Sequence, residues 1–549
     1  MKIRISAEVK NKLQKDKSNS RVLKSKIKRI NIDTVCIYVF TVLAVFAFAQ
    51  VFYHIIRYEL SHAYSVDSPL YWTVGRGMMN GLTPYSDLYE NKPIGIFVLS
   101  IISFSFTDST IICNIVSIIS AFIIAVVPSL FLLEKCMKGA ANKDKKIDSY
   151  DIFSFLTVFM CSTMLAVYSE TYSGGFQVEA IGAACSILYI YSARKLMTAE
   201  DKKTRIIRTI LTAIYISFAV MLKEPFLLAA TAAVLLFTNS FKDLIRGVII
   251  PDIIGGIAVL TVLGATGILK PYFTIYIKNM LNTRISSGDP LLNNGDTAFK
   301  RALNILFLKD DVKTFDNLLW IIIFLALIIP LASVYKKNIR IIIIQVLKVA
   351  AAVFTASFCV GLGGQYFDHH YIFAVPIYAA FIMYSGEHIS LFKDRKKVVK
   401  TATMICCFLL ISDVSLNYRK DYEGDSNDKY KTMAAKAQYV DELMDFYEEE
   451  RYQYIGLGDF LGFTKHSPMG PLFVQDSGYF QTEDTEFFKQ FLEQIDKSNI
   501  VIFSSYTTPL LKKVVKNILE EDFTTEPPKE NDIEKPSDFY YTVYYRKGM

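Results

Sequence analysis

Cysteine is scarce outside the apolar parts of this chain. Its eight cysteines are Cys36, Cys113, Cys136, Cys161, Cys185, Cys359, Cys406 and Cys407; nearly all lie in apolar runs, and none follows Cys407. That argues against a disulfide framework and against a zinc cluster. No cleavable signal peptide is expected either, because the first apolar run begins near Ile32 and is long enough to span a bilayer. No repeat period appears, so neither a solenoid nor a duplicated transporter is expected. The net charge of +7 gathers at the membrane surface and makes no case for nucleic acid.

What the chain does have is apolar length. Of 549 residues 52% are hydrophobic, with 40 Phe and 33 Tyr, which indicates a polytopic α-helical membrane protein. Residues 1–33 form a basic N-terminus, in which positions 1–30 hold eleven Lys and Arg against Glu8 and Asp16. Basic flanks stay in the cytoplasm, so the N-terminus is expected inside. Val35–Ile56 then exits, and the apolar runs that follow alternate so that each Lys-rich turn falls on one side: EKCMKGAANKDKK, ARKLMTAEDKKTRIIR, FKDLIR, YKKNIR and KDRKK. The map has about eleven spans within residues 34–418. It leaves loops 58–110 and 270–317, and the part 419–549, outside. Inside the first loop, Ile94–Phe106 is apolar but short for a span, as suits a helix in the interface or dipping into the protein. Residues 419–549 read as helix, strand, helix, strand, helix, strand, a small α/β domain on the outer face.

The stretch from Tyr64 to Phe97 is too polar to cross a bilayer, yet it is dense in Tyr, Gly, Pro and carboxylates. A charged group at a membrane face is costly unless it works or is paired. Asp67 follows the first span, Glu179 begins a returning one, and Glu170 lies near it. Transfer of a sugar from a lipid phosphate needs a base for the acceptor proton and positive charge for the departing phosphate. Lys92 and Arg76 sit in the same loop as Asp67. From the residues alone, an enzyme and a transporter remain open.

The order Asp67, then Gly81-Leu-Thr-Pro84-Tyr85-Ser-Asp87, then Asn91-Lys92-Pro93 resembles the first outer loop of the integral-membrane glycosyltransferases of the GT-C fold. The nearest branch is the protein O-mannosyltransferase and aminoarabinose-transferase-like one, glycosyltransferase family 39 and its bacterial relatives. Gly364-Gln-Tyr366-Phe-Asp-His369-His370-Tyr371 is similar to a Tyr/His-rich outer turn in bacterial members, and the resemblance covers roughly residues 35–415. Two positions depart from the pattern. Asp67 is followed by Ser68 where many relatives have Asp-Glu, and Pro93 by Ile94 where many have Lys-Pro-Pro.

The resemblance implies a polyprenyl-phosphate-linked sugar as donor and an extracytoplasmic acceptor, which would be a cell-surface glycan, lipid or protein. It implies Asp67 as general base, with Glu179 or Glu170 as the second acid. Lys92, with Arg76 and Arg284, would hold the phosphate. Tyr85, Asp87, Tyr366, His369 and His370 would line the substrate site. No metal is assigned; two carboxylates facing one cavity could still hold a divalent cation through oxygen ligands. The absence of targeting features and the heavy use of Lys, Ile and Asn suggest a bacterium, and with it a cytoplasmic membrane.

Each residue has a plainer reading. Asp67 could cap a helix starting at Ser68-Pro69, Lys92 could snorkel, and Glu179 could pair with a neighbouring cation. Tyr85 and Trp72 could be interfacial anchors or loop core. Lys223-Glu224-Pro225 reads as a tight turn with a local ion pair. Adjacent side chains such as His369 and His370 point apart on a helix or strand, which weighs against a metal pair. A flippase for a lipid-linked substrate, or a ligase moving a whole glycan from a lipid diphosphate, are the alternatives.

Overall fold

The structure, a computed structural model, describes residues 32–141, 149–281, 296–307, 339–363, 367–389, 401, 403–406, 409, 425–456, 458, 460–473, 486–504 and 509–549. Among the described residues, six helical stretches are long and apolar enough to cross a membrane: Val35–Leu60, Ile111–Glu134, Asp151–Ser173, Lys202–Leu222, Phe241–Ala265 and Ile342–Leu362. The expected spans at 318–334 and, for the most part, at 398–416 lie outside the described residues. The helices that carry the membrane part are α1 (Ile32–Leu60), α2 (Ser68–Met79), α3 (Gly95–Thr107), α4 (Ile111–Ala141), α5 (Ser149–Ser173), α6 (Val178–Met197), α7 (Lys202–Leu222) and α8 (Pro225–Leu235). They are followed by α9 (Phe241–Ala265), α10 (Ala298–Leu306), α11 (Ile339–Leu362) and α12 (Val375–Ile389).

Burial divides these helices into two kinds. The α6 helix is buried along its length and is built from small residues, Ala180, Gly182, Ala183, Ala184 and Ser186. Small residues let neighbouring backbones approach where no hydrophobic force separates protein from lipid. A methyl group added at Gly182 would lie 2.2 Å from the Phe226 ring. By contrast α1, α7, α9 and α11 expose Val42, Phe46, Ile210, Phe218, Ile257, Leu260, Ile343 and Leu347. Contiguous apolar surface of that extent suits lipid rather than water. Pro225 starts α8 at its first turn, where a missing N–H costs nothing.

The two ends of the bundle carry different contacts. Lys195 and Tyr191 on α6 bond Glu134 on α4, and Arg194 pairs with Glu387 on α12 at 3.1 Å. The helix ends beside three basic turns therefore meet. The first loop, residues 174–179, the turn at 223–225 and the 3-10 turn Asp368–Ala374 gather at the other end.

Residues 425–549 contribute α13 (Asp425–Tyr447), α14 (Glu486–Lys497), α15 (Pro509–Asp522) and five strands. The strands are β1 (Arg451–Ile455), β2 (Ser467–Pro468), β3 (Ile500–Phe503), β4 (Phe523–Thr524) and β5 (Thr542–Arg546), in the order β2-β1-β3-β5-β4. Gln453 pairs Val501 in parallel, and Ile500 pairs Tyr545 antiparallel. Alternate residues face opposite sides of a sheet. Ile455 and Val501 pack on α14 and α15 with Phe491 and Leu511. Tyr452, Tyr454, Ile500 and Ile502 share a core with Val440 and Leu443 of α13 and with Tyr71, Trp72 and Tyr85 of the first loop. The C-terminal part thus packs directly on the loop that carries Asp67.

Candidate active site

The local fold around Asp67 begins with two serines. Ser65 and Ser68 exchange hydrogen bonds between backbone N–H and hydroxyl at 3.0 and 3.2 Å, which caps α2. The Ser68 hydroxyl also donates to the Gly175 carbonyl at 2.8 Å. Gly175 has φ +78, and its backbone touches residues 64–65, where a side chain would collide at 3.0 Å. These contacts tie the start of α2 to the turn just before Glu179. Asp67 makes no capping hydrogen bond. Its carboxylate is left for the site, where the Tyr71 hydroxyl donates to Oδ2 at 3.2 Å.

Lys92 Nζ lies 3.6 Å from Asp67 Oδ2 and 3.7 Å from Glu90 Oε1, and it donates to Asn91 Oδ1 at 3.0 Å. The Asp67 side chain is 30% exposed, against 10% for Lys92, so a ligand can reach the acid. Across from them Lys223 Nζ donates to Glu179 Oε1 at 2.6 Å, with Glu179 fully buried. The imidazole of His369 completes the group. Burial pushes the Asp67 carboxyl up, but Lys92, His369, Lys223 and the Tyr71 hydroxyl outweigh it and hold it below its ordinary value. Burial pushes the Lys223 ammonium down; Glu179 opposes this, and Lys92 adds to it. Burial also lowers the His369 imidazole. Asp67, Glu90, Lys92, Glu179, Lys223 and His369 therefore form one electrostatic cluster at the mouth of the bundle.

Among the residues named from sequence, Asp67, Lys92, Glu179, His369 and His370 come together. The others separate from them. Glu170 lies on α5 against Glu59, which itself accepts from Asn114 Nδ2 and the Gly175 N–H, each at 2.9 Å. Arg76 pairs with Asp108 at 2.9 Å and lies over the Phe104 ring. The cause is helical phase: nine positions at about 100° each put Arg76 opposite Asp67. Tyr85 is buried against Phe97, Tyr272 and Tyr276 and donates to the Lys92 carbonyl at 3.0 Å. It is loop core, and it fixes the backbone of Lys92. Asp87 accepts from the Thr83 N–H at 2.7 Å and closes a turn. Tyr366 and Arg284 lie outside the described residues.

Three site members escaped the sequence reading: Tyr71, Glu90 and Lys223. Tyr71 had a signal, since it stands one helical turn after Asp67 on the same face. Lys223 was assigned a local pair with Glu224. Glu224 instead accepts from Tyr272 and Tyr276 at 3.1 and 2.8 Å, so Lys223 is left to cross to Glu179. The expected pairing gives way because each side chain is taken by another element, Glu224 by the two tyrosines and Lys223 by Glu179.

No family model matches the chain, and no curated protein matches it in sequence. Its architecture is that of the GT-C fold. Among solved structures it is similar to ArnT from Cupriavidus metallidurans, in a crystal structure bound to undecaprenyl phosphate. The TM-score is 0.52 and the identity 11%, over 91% of this chain and 97% of that one. With the six long apolar helices, this fold makes the chain a membrane protein.

Proposed function

We propose that the chain is a glycosyltransferase that moves a sugar from a polyprenyl-phosphate donor to an acceptor outside a cytoplasmic membrane. The observation that carries this reading is the Asp67 carboxylate, hydrogen-bonded by Tyr71 and 3.6 Å from the Lys92 ammonium, on a GT-C frame. An acceptor hydroxyl or amine gives its proton to Asp67 as it attacks the anomeric carbon. The bond from that carbon to the phosphate oxygen breaks, its electron pair stays on the phosphate, and the configuration inverts. Lys92 holds the departing anion.

The ion pair suits this sequence of events. With Lys92 beside it, Asp67 is ionised but weakly basic. A donor phosphate that draws Lys92 away leaves the carboxylate more basic as the acceptor arrives. Glu179, fixed by Lys223, positions sugar or acceptor. The N-terminus and the Lys-rich turns then lie in the cytoplasm and residues 425–549 outside, which puts the Asp67 cluster on the outer face.

The test is donor consumption by purified protein in liposomes, with a panel of polyprenyl-phosphate sugars, for wild type and Asp67→Asn. The expected result is turnover of one donor and a loss of at least about 100-fold in the variant. Equal turnover by both would move the base elsewhere. Transport of a lipid-linked substrate without any turnover would establish the flippase.

A further inference from the structure

Glu179, His369 and His370 share a geometric feature that the transfer reading does not use. A carboxylate oxygen and one nitrogen from each imidazole all lie within 4.8 Å of one another. Adjacent histidines on a regular helix or strand point apart, but these two sit on the 3-10 turn Asp368–Ala374. Their ring centroids are 4.4 Å apart with planes at 72°. The His370 ring is packed against Gly363, where a methyl group would come within 2.2 Å of its Nδ1, and against Phe373. Glu179 is fully buried. Its Oε1 takes the Lys223 ammonium, and its Oε2 has no hydrogen-bond partner among the described residues. An unsatisfied buried carboxylate oxygen is costly and calls for a ligand.

We propose that these three side chains hold one divalent transition-metal ion of the zinc class. Two imidazole nitrogens and one carboxylate oxygen form a borderline donor set that favours zinc over magnesium or calcium. With ligand bonds of about 2.1 Å, a tetrahedral ion brings its donors to about 3.4 Å from each other. The present spacing closes to that by small side-chain rotations. Local charge permits a cation: the carboxylates of Asp67, Glu90 and Glu179 face two ammonium groups, Lys92 and Lys223. Lys223 engages Oε1 of Glu179 and leaves Oε2 for the ion, as a hydrogen-bond donor behind a metal ligand does. A fourth, open position on such an ion would accept a phosphate or hydroxyl oxygen. The site is a matter of binding and does not rest on the transfer reading.

The experiment uses full-length protein in detergent, stripped with a chelator and titrated calorimetrically with zinc chloride and, separately, magnesium chloride. One equivalent of zinc is expected to bind at least tenfold tighter than magnesium. His369→Ala and His370→Ala each weaken zinc binding at least tenfold, while His466→Ala, on the C-terminal surface, leaves it unchanged. Cobalt(II) in place of zinc gives a tetrahedral visible spectrum that either variant abolishes. The histidine variants carry the test because Glu179→Gln, which strands Lys223, can fail to fold. Absence of saturable zinc binding, or binding undiminished in both histidine variants, overturns the proposal. No sugar donor is present in the titration, so failure of the transfer reading would leave its answer unchanged.

Discussion

Lys223 Nζ and Glu179 Oε1 meet at 2.6 Å, joining the turn after α7 to the first turn of α6. Both groups are buried, so each is tolerable only because of the other. Removing one leaves an unpaired charge; removing both leaves none. Lys223→Met is expected to cost about 3–5 kcal/mol, and Lys223→Met with Glu179→Gln markedly less. Thermal unfolding of the two singles and the double in detergent measures this. A double variant as unstable as the sum of the singles would mean that the pair is not coupled.

Lys92 touches two carboxylates, Asp67 at 3.6 Å and Glu90 at 3.7 Å, and is the cation nearest the reachable acid. If it holds the donor phosphate, Lys92→Met should raise the KM for donor and lower kcat, by about 10²-fold or more in kcat/KM. Arg76→Met should leave the donor KM within about twofold, because Arg76 is held by Asp108 on the opposite face of α2. Steady-state kinetics with one donor at varied concentration separates these outcomes. A larger effect from Arg76 than from Lys92 would reverse the assignment.

Asp67 titrates below its ordinary value of 3.8. A carboxyl depressed on folding contributes its full stability above the unfolded value and loses it as pH falls through the folded one. The difference in unfolding temperature between wild type and Asp67→Asn should therefore be constant from about pH 5 to about pH 8 and change only below about pH 4. A difference that varies near neutrality would show a carboxyl titrating there, and Lys92 would not be its counter-ion.

The periodic parts of this chain were legible as sequence, and the contacts across elements were not. Apolar runs gave the helices, a short apolar run gave the strand at Ile500–Phe503, and alternation gave the neighbourhood of Thr542–Arg546. Basic turns marked helix ends, and those beside three of them meet through the Glu134, Arg194 and Lys195 contacts. Asp67, Lys92 and Glu179 stood out because charge beside a membrane is rare. Lys223 did not, since its partner lies 44 positions away and its neighbour Glu224 offered a closer explanation. Arg76 and Glu170 entered as candidates because proximity in sequence ignores which face of a helix a side chain occupies. Nothing in the chain announced that residues 425–549 share a core with Tyr71 and Trp72, for each side of that contact reads as an ordinary apolar surface.

That shared core makes Gly462 a remote handle on the site. It packs against the first turn of α2, where an added methyl would sit 2.4 Å from the Pro69 carbonyl and 2.9 Å from Trp72 Cβ. Backbone on one side and a buried indole on the other leave little room to yield. Gly462→Ala should push α2 away from the Gly175 turn and carry Asp67 and Tyr71 with it. Displacements near 1 Å at a reacting group cost about 10²-fold in rate. The expected outcome is a fall in kcat of that order with normal membrane insertion and a nearly unchanged donor KM, since Lys92 is tethered separately through Tyr85. Substitution of Gly548, whose surroundings are open, should not change kcat. Full activity in Gly462→Ala would mean that the C-terminal part touches the loop without holding it in place.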